Sequence, residues 1–345
     1  MAHSDEPGKA VTIHTVARRA GVSTATVSRV LEGSAPASDA TRAKVIAAVR
    51  ELGYSSPGRS RAPTMARHET HGLVLTELTS SYHCELVMGY ASAAADLSQS
   101  VAVVVARRRH DADEDLRALV GRVDGLVIGA NTVPDPIAHS LARGCPVVLL
   151  ARREVAGCDS LRAENLESAA LLTSHLLEQH GRSHLFFVGD PDDSLDVAER
   201  YSGFRTAHIV AQVPLRRPPL RVPLVEGAGV KVADEILRRR VKVDGLVCGN
   251  DDIALSIMSH LQAHGVRLPD DLAVVGWDDV PAARYLAPGL TTVRQPIREL
   301  GRLAATHLQA RIAGEEQVGE PRVLLSQVVL RSSCGCPPLS PSIGG

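Results

Sequence analysis

The sequence runs to 345 residues, 44% of them apolar and 22% charged, with a formal net charge of -1. Such a chain can bury a sizeable core in more than one domain, and no apolar run approaches the ~18 residues of a membrane-spanning helix, which excludes that class. The charge is unevenly placed: residues 1–62 hold nine Lys or Arg against five Asp or Glu, a positive segment of the sign that attraction to phosphate requires.

Met1 to Ala10 reads as a disordered arm. It carries Asp5, Glu6 and Lys9 and no apolar h-region, so the sequence predicts no secretory signal and a cytoplasmic protein. Ile13, Val16, Ala17 and Ala20 fall at i, i+3, i+4 and i+7, which predicts a helix over 13–20. Gly21 supplies the left-handed residue that ends it, and Ser23 can cap a second helix over 24–31. There Val27, Val30 and Leu31 point one way and Thr24, Ala25, Ser28 and Arg29 the other. A third helix begins after Ser38, with Val45, Ala48, Val49 and Leu52 at the same spacing, and stops near Gly53. Three small helices closing one apolar cluster make an all-α helix-turn-helix headpiece over 11–56. Its outward face of short hydroxyls and one guanidinium suits close approach to a polyanion and the reading of base edges.

Val22 to Leu31, preceded by Thr12 and the Val16-Ala17…Ala20-Gly21 run, resembles the headpiece of the LacI/GalR family of bacterial transcriptional repressors, and the resemblance extends over nearly the whole chain. It implies that Thr24, Ala25 and Arg29 occupy base-reading positions in the major groove. Arg29 is suited to bidentate contact with guanine, whereas Ala25 offers only a methyl to thymine. Thr12, Ser23, Thr26, Ser28, Ser38 and Thr41 match phosphate-contacting positions, although Ser23 and Ser38 equally suit helix caps. Glu32 stands where the family usually has Asn. Residues 57–72 form the linker. The family's hinge helix carries a Leu that wedges into the minor groove. Here Gly58 and Pro63 oppose helix, Pro63 or Thr64 replaces that Leu, and Met65 is the nearest substitute, while Arg59 and Arg61 can track the backbone.

From Gly72 onward the chain alternates. Apolar strands are expected at 72–76, 101–105, 124–129, 146–150, 184–188, 219–224, 243–248 and 272–276. Helical stretches such as Glu85 to Leu97, Leu166 to Gln179, Val230 to Arg239 and Ile253 to Ala263 separate most of them. Continuous Val and Leu runs between helices imply doubly wound parallel sheets covered on both faces. By the resemblance they form an α/β core over 73–336, similar to periplasmic sugar-binding proteins. Its N-lobe would hold about 73–163 and 292–325 and its C-lobe about 164–291 and 326–336, with a tail over 337–345.

Ligands of open parallel sheets bind beyond the carboxyl ends of the strands. That rule selects Tyr82 after the first strand, Asp190 and then Arg200 after 184–188, Asn250 after 243–248, and Trp277 with Asp278 after 272–276. A planar ring beside a carboxylate, an amide and a guanidinium suits a polyhydroxylated ligand, and Arg200, Asn250 and Asp278 match the family's effector-contacting positions. In the alternative, Asp251 and Asp278 cap helices and Arg200 pairs with Glu199 or an Asp. Ala151, followed by Arg152 and Arg153, stands where sugar binders of this type often offer an Asp, which admits an anionic effector.

No G-x-S-x-G, G-x-x-x-x-G-K-[ST] or H-E-x-x-H is present, Gly227-Ala-Gly229 lacks a third glycine, and no catalytic constellation, cofactor site or metal site is expected. His180 and His184 are separated by the helix-ending Gly181. The six cysteines have no framework spacing, and Cys334-Gly335-Cys336 is read as free thiols for want of second ligands nearby. The reading is a homodimeric repressor that binds a pseudo-palindromic DNA operator and a small-molecule effector, with no membrane partner and no tetramerising heptads. A transport solute-binding protein and a sugar-modifying enzyme are the alternatives that share the core.

Overall fold

Gly21 sets the shape of the N-terminal segment. Helix α1 (Ile13–Ala20) stops where Gly21 turns left-handed at φ 65 and ψ 34, a conformation that a Cβ disfavours. The N–H of Val22 then bonds back to the Ala17 carbonyl at 3.1 Å. Two residues on, Ser23 Oγ accepts the Thr26 N–H at 3.1 Å and starts α2 (Thr24–Glu32). Helix α3 (Asp39–Glu51) supplies Val45 and Ala48 to a cluster with Val16, Ala17, Ala20 and Val27.

The computed structural model describes residues 12–32, 39–51, 68–106, 112–239, 242–315 and 320–337, and the chain falls into two units, Met1–Arg67 and His68–Gly345. The second unit opens with β1 (Thr70–Leu75), α4 (Ser81–Asp96), β2 (Ser100–Val105), α5 (Ala112–Val120), β3 (Gly125–Gly129), α6 (Asp135–Leu141), β4 (Val147–Leu150) and β5 (Asp159–Ala163). Next come α7 (Leu166–Ser174) with a π-helical turn (His175–Gln179), β6 (Leu185–Val188), α8 (Leu195–Val210), α9 (Glu226–Arg239), β7 (Gly245–Cys248), α10 (Asp251–Ala263), β8 (Ala273–Val275) and α11 (Ala282–Tyr285). The chain closes through β9 (Thr292–Arg294), α12 (Ile297–Ile312), β10 (Arg322–Leu324), β11 (Gln327–Val329) and a 3-10 turn (Ser332–Cys334).

One lobe is a six-stranded sheet in the order β10-β5-β4-β3-β1-β2, parallel throughout. The other is a parallel sheet in the order β6-β7-β8. Every residue of β3, β4, β6, β7 and β8 is buried, as sheets covered on both faces require, and this is why those strands are uninterrupted apolar runs. The stretch 219–224, expected as a strand, is not one. Leu220 alone forms a bridge, to Val188, because Pro219 and Pro223 have no N–H to give a ladder.

The chain passes between lobes three times: from β5 into α7, from β9 into α12, and from β10 into β11. These passages are bonded side by side. Glu164 N–H donates to the Leu324 carbonyl and Ser326 Oγ to the Glu164 carbonyl, each at 2.7 Å, and β11 pairs antiparallel with β9. Buried Asp251 braces the same region, accepting from Thr292 Oγ1 at 2.7 Å and from the Val280 N–H at 2.9 Å.

Candidate functional site

On α2, Val27 is 0% exposed, while Ala25 and Arg29, four residues apart and so on one face, are exposed. Thr24, Thr26 and Ser28 are half-buried beside them. The second helix therefore turns its guanidinium and its methyl away from the cluster that holds it. Ser23 does serve as a cap, and its hydroxyl lies 2.8 Å from that of Thr26. Thr12 is exposed ahead of α1, its N–H donating to Thr15 Oγ1 at 3.3 Å, and Thr41 is half-buried on α3. Ser38, Arg59, Arg61, Met65 and the side chain of Glu32 lie outside the described residues.

In the larger unit, chain segments beyond strand ends of both lobes meet around a cavity of about 710 Å³. Asn131 follows β3, Arg152 and Arg153 follow β4, and Asp192 to Ser194 follow β6. Arg152 is buried and ion-paired with Asp135, and its Nη1 has no hydrogen-bond partner among the described residues. A smaller cavity, about 340 Å³, has Asp278 and Gln295 in its lining together with Ser81 and Glu85 of α4.

The sequence-selected residues largely converge. Arg200, on α8, is buried; its Nε donates to Asn165 Oδ1 at 2.8 Å and its Nη1 to the Gly249 carbonyl at 2.7 Å. Its guanidinium lies 4.7 Å from the centre of the Trp277 ring, a cation–π contact. The Trp277 Nε1 is buried with no hydrogen-bond partner among the described residues. Asp278 has φ 120, a strained backbone for a side-chain-bearing residue, and its Oδ1 accepts from Gln295 Nε2 at 2.6 Å. Burial pushes the Asp278 carboxyl well above the usual carboxylate range, with Arg200 pulling the other way. Burial likewise raises Asp196, one turn before Arg200, to about 6 against the same guanidinium. The Tyr82 phenol is raised by burial and further by Asp196 and Asp278, which places it in the same electrostatic group.

Two candidates do other work. Asn250 caps α10, its Oδ1 accepting the Ile253 N–H at 3.1 Å, and it reaches the group only through Gly249 next to it. Asp190 is turned to the surface, where it pairs with Arg221. Sequence reasoning missed Asp196, Asn165 and Gln295. The i, i+4 spacing of Asp196 to Arg200 was a usable signal. Asn165 and Gln295 carried none, since the strands they follow, β5 and β9, were not among those expected from the sequence.

The cysteine reading also needs correction. Cys334 and Cys336 do have further ligand-type side chains nearby, His175 and His180, from a helix roughly half the chain away in sequence.

Residues 12–56 match the family described as bacterial regulatory proteins, lacI family, and residues 173–334 match a periplasmic binding protein-like domain. The HTH-type transcriptional repressor PurR of Vibrio parahaemolyticus is 29% identical over 328 residues, which cover 93% of this chain and 98% of that protein. Among solved structures, a complex of the transcriptional regulator CelR with cellobiose aligns at a TM-score of 0.69 and 28% identity, over 94% of this chain and 100% of that one. The lac repressor dimer bound to operator and the anti-inducer ONPF aligns at 0.67 and 26% identity, over 94% and 99%. Residues 12–56 thus carry a headpiece of the kind described as bacterial regulatory proteins, lacI family, ahead of a two-lobed parallel-sheet body, and over nearly the whole chain the protein is similar to transcriptional repressors.

Proposed function

We propose that two copies of this chain read a pseudo-palindromic operator and repress transcription, and that a small polyhydroxylated ligand held between the lobes sets their grip on DNA. Thr24, Ala25 and Arg29 are the base readers. Thr12, Ser23, Thr26, Ser28, Ser38 and Thr41 contact phosphate, with Arg59, Arg61 and Met65 following the backbone toward the minor groove. In the core, Asp278, which lines the smaller cavity, offers an acceptor for vicinal hydroxyls, with Tyr82, Arg200 and Trp277 packed behind it and Asn250 and Asp190 at the margin. Arg152 and Arg153 favour an effector that carries negative charge, a sugar acid or sugar phosphate over a neutral hexose.

Effector binding acts as a population shift: the occupied cleft closes, the paired lobes rotate, and the spacing of the headpieces changes. The observation that carries this reading is the two-faced α2, with Val27 wholly buried and Arg29 exposed. The similar lac repressor structure, bound to operator, and the CelR structure, bound to cellobiose, support it. Retention of sheared genomic DNA on the purified protein, followed by sequencing, tests it. A palindromic consensus whose retention changes with one of a panel of neutral and anionic sugars is expected, and retention without any consensus overturns it.

A further inference from the structure

We propose that His175, His180, Cys334 and Cys336 form a tetrahedral zinc site that fastens the last segment of the chain to the helix opening the second lobe. The four ligand-type atoms lie within 4.8 Å of one another. His175 Nε2 is 3.1 Å from His180 Nε2. Cys334 Sγ is 3.6 Å from His175 Nε2, and Cys336 Sγ is 3.3 Å from His175 Nε2 and 3.5 Å from His180 Nε2. A tetrahedral ion with Zn–N about 2.0–2.1 Å and Zn–S about 2.3 Å demands N···N near ~3.3 Å and N···S near ~3.5 Å. The four separations given stand close to those values, the whole set within 4.8 Å needs only a small contraction to close on an ion, and two thiolates with two imidazoles are a set that selects zinc.

Local backbone geometry supplies the second argument. In an α-helix, residues five apart point about 140° apart, so His175 and His180 would diverge. The π-helical turn over His175–Gln179 bonds i to i+5 and brings both rings to one side. Such turns are rare, cost helix geometry, and gather at functional sites. Gly335, between the cysteines, has φ 115, and a Cβ there would lie 2.9 Å from His180 Nδ1, so only glycine lets the Cys-x-Cys turn press against that ring. Thr291 Oγ1 stands 3.1 Å from Cys334 Sγ and 2.9 Å from the Arg331 carbonyl oxygen, so turning its one hydroxyl proton to the sulfur would orient a thiolate there. Binding Zn²⁺ would release both thiol protons to solvent, with no redox change.

The test uses the full-length protein purified under reducing conditions. Plasma mass spectrometry should find about one zinc per chain. Replacement by Co²⁺ should give intense visible bands of tetrahedral cobalt with a thiolate charge-transfer band. Zinc affinity, read by competition with a chromophoric chelator, should fall roughly tenfold or more in both Cys336→Ser and His180→Ala. Chelation should lower the melting temperature of the wild-type chain and leave that of Cys336→Ser unmoved. Absence of zinc combined with no tetrahedral cobalt spectrum, stoichiometric copper or iron in its place, or variants that bind zinc as tightly as the wild type would each overturn the proposal. The cobalt spectrum needs no variant, so a variant that fails to fold leaves the test standing.

Discussion

Asp196 holds a carboxylate in a place that resists its charge, and the sign of the effect can be worked out. Its pKa in the fold is about 6, raised by burial, while Arg200 and Arg162 lower it and Glu199 raises it. A carboxyl raised above its unfolded value favours the protonated fold. Its stabilising share is therefore complete below about pH 4 and is lost as pH climbs to about 6. Relative to Asp196→Asn, the wild type should lose on the order of 2–3 kcal/mol over that window in urea unfolding and then level off; a flat difference would remove the burial argument. On the headpiece, Arg29→Ala should cost about 1–3 kcal/mol on the cognate operator and relax preference at one base pair, measured by binding to a panel of single-base variants. At this scale Arg200, Trp277 and Asp278 were legible because the ends of parallel strands announce themselves. The partnership of His175 with Cys336 was not, because their five- and two-residue spacings match no helical face until a π turn supplies one.

Between elements, α4 packs closely on α12. A Cβ at Gly89 would lie 2.1 Å from the Arg298 carbonyl oxygen, and one at Gly301 would lie 2.3 Å from that of Leu86. The two helices thus touch backbone to backbone, and both obstructing atoms belong to main chain that cannot swing aside. Gly89→Ala should therefore cost about 1–3 kcal/mol as overpacking does, seen as a melting temperature lower by roughly 2–4 °C per kcal/mol. An unchanged melting temperature would mean that the pair can slide apart freely. Parallel strands were the most readable elements, since β3, β4 and β7 are buried on both faces and therefore hold only apolar residues and glycine. Residues 219–224 looked alike in hydropathy but carry prolines where donors are needed, and hydropathy does not count donors.

For the whole molecule, alternation of apolar runs with helical periods sufficed to indicate the fold class, and the glycine turn with its serine cap to indicate the headpiece. The long-range facts were not legible, because which residues meet across the lobes depends on three passages, the first of which lies more than a hundred residues before the other two in the chain. The positive bias of residues 1–62 has its own consequence. If six to ten phosphates are neutralised by the pair of headpieces, operator affinity should fall by roughly 10³-fold or more between about 50 and 200 mM salt. Fluorescence anisotropy across that range checks this, and a salt-independent affinity would contradict a phosphate-directed grip.

The three passages between lobes have a mechanical consequence. Bonded edge to edge, they resemble the leaf of a door hinge: easily flexed about the line that crosses them, stiff against shear and against torsion. Separation of the lobes then has essentially one coordinate, and the size of whatever lies between them is converted into a single angle at the far ends of both halves.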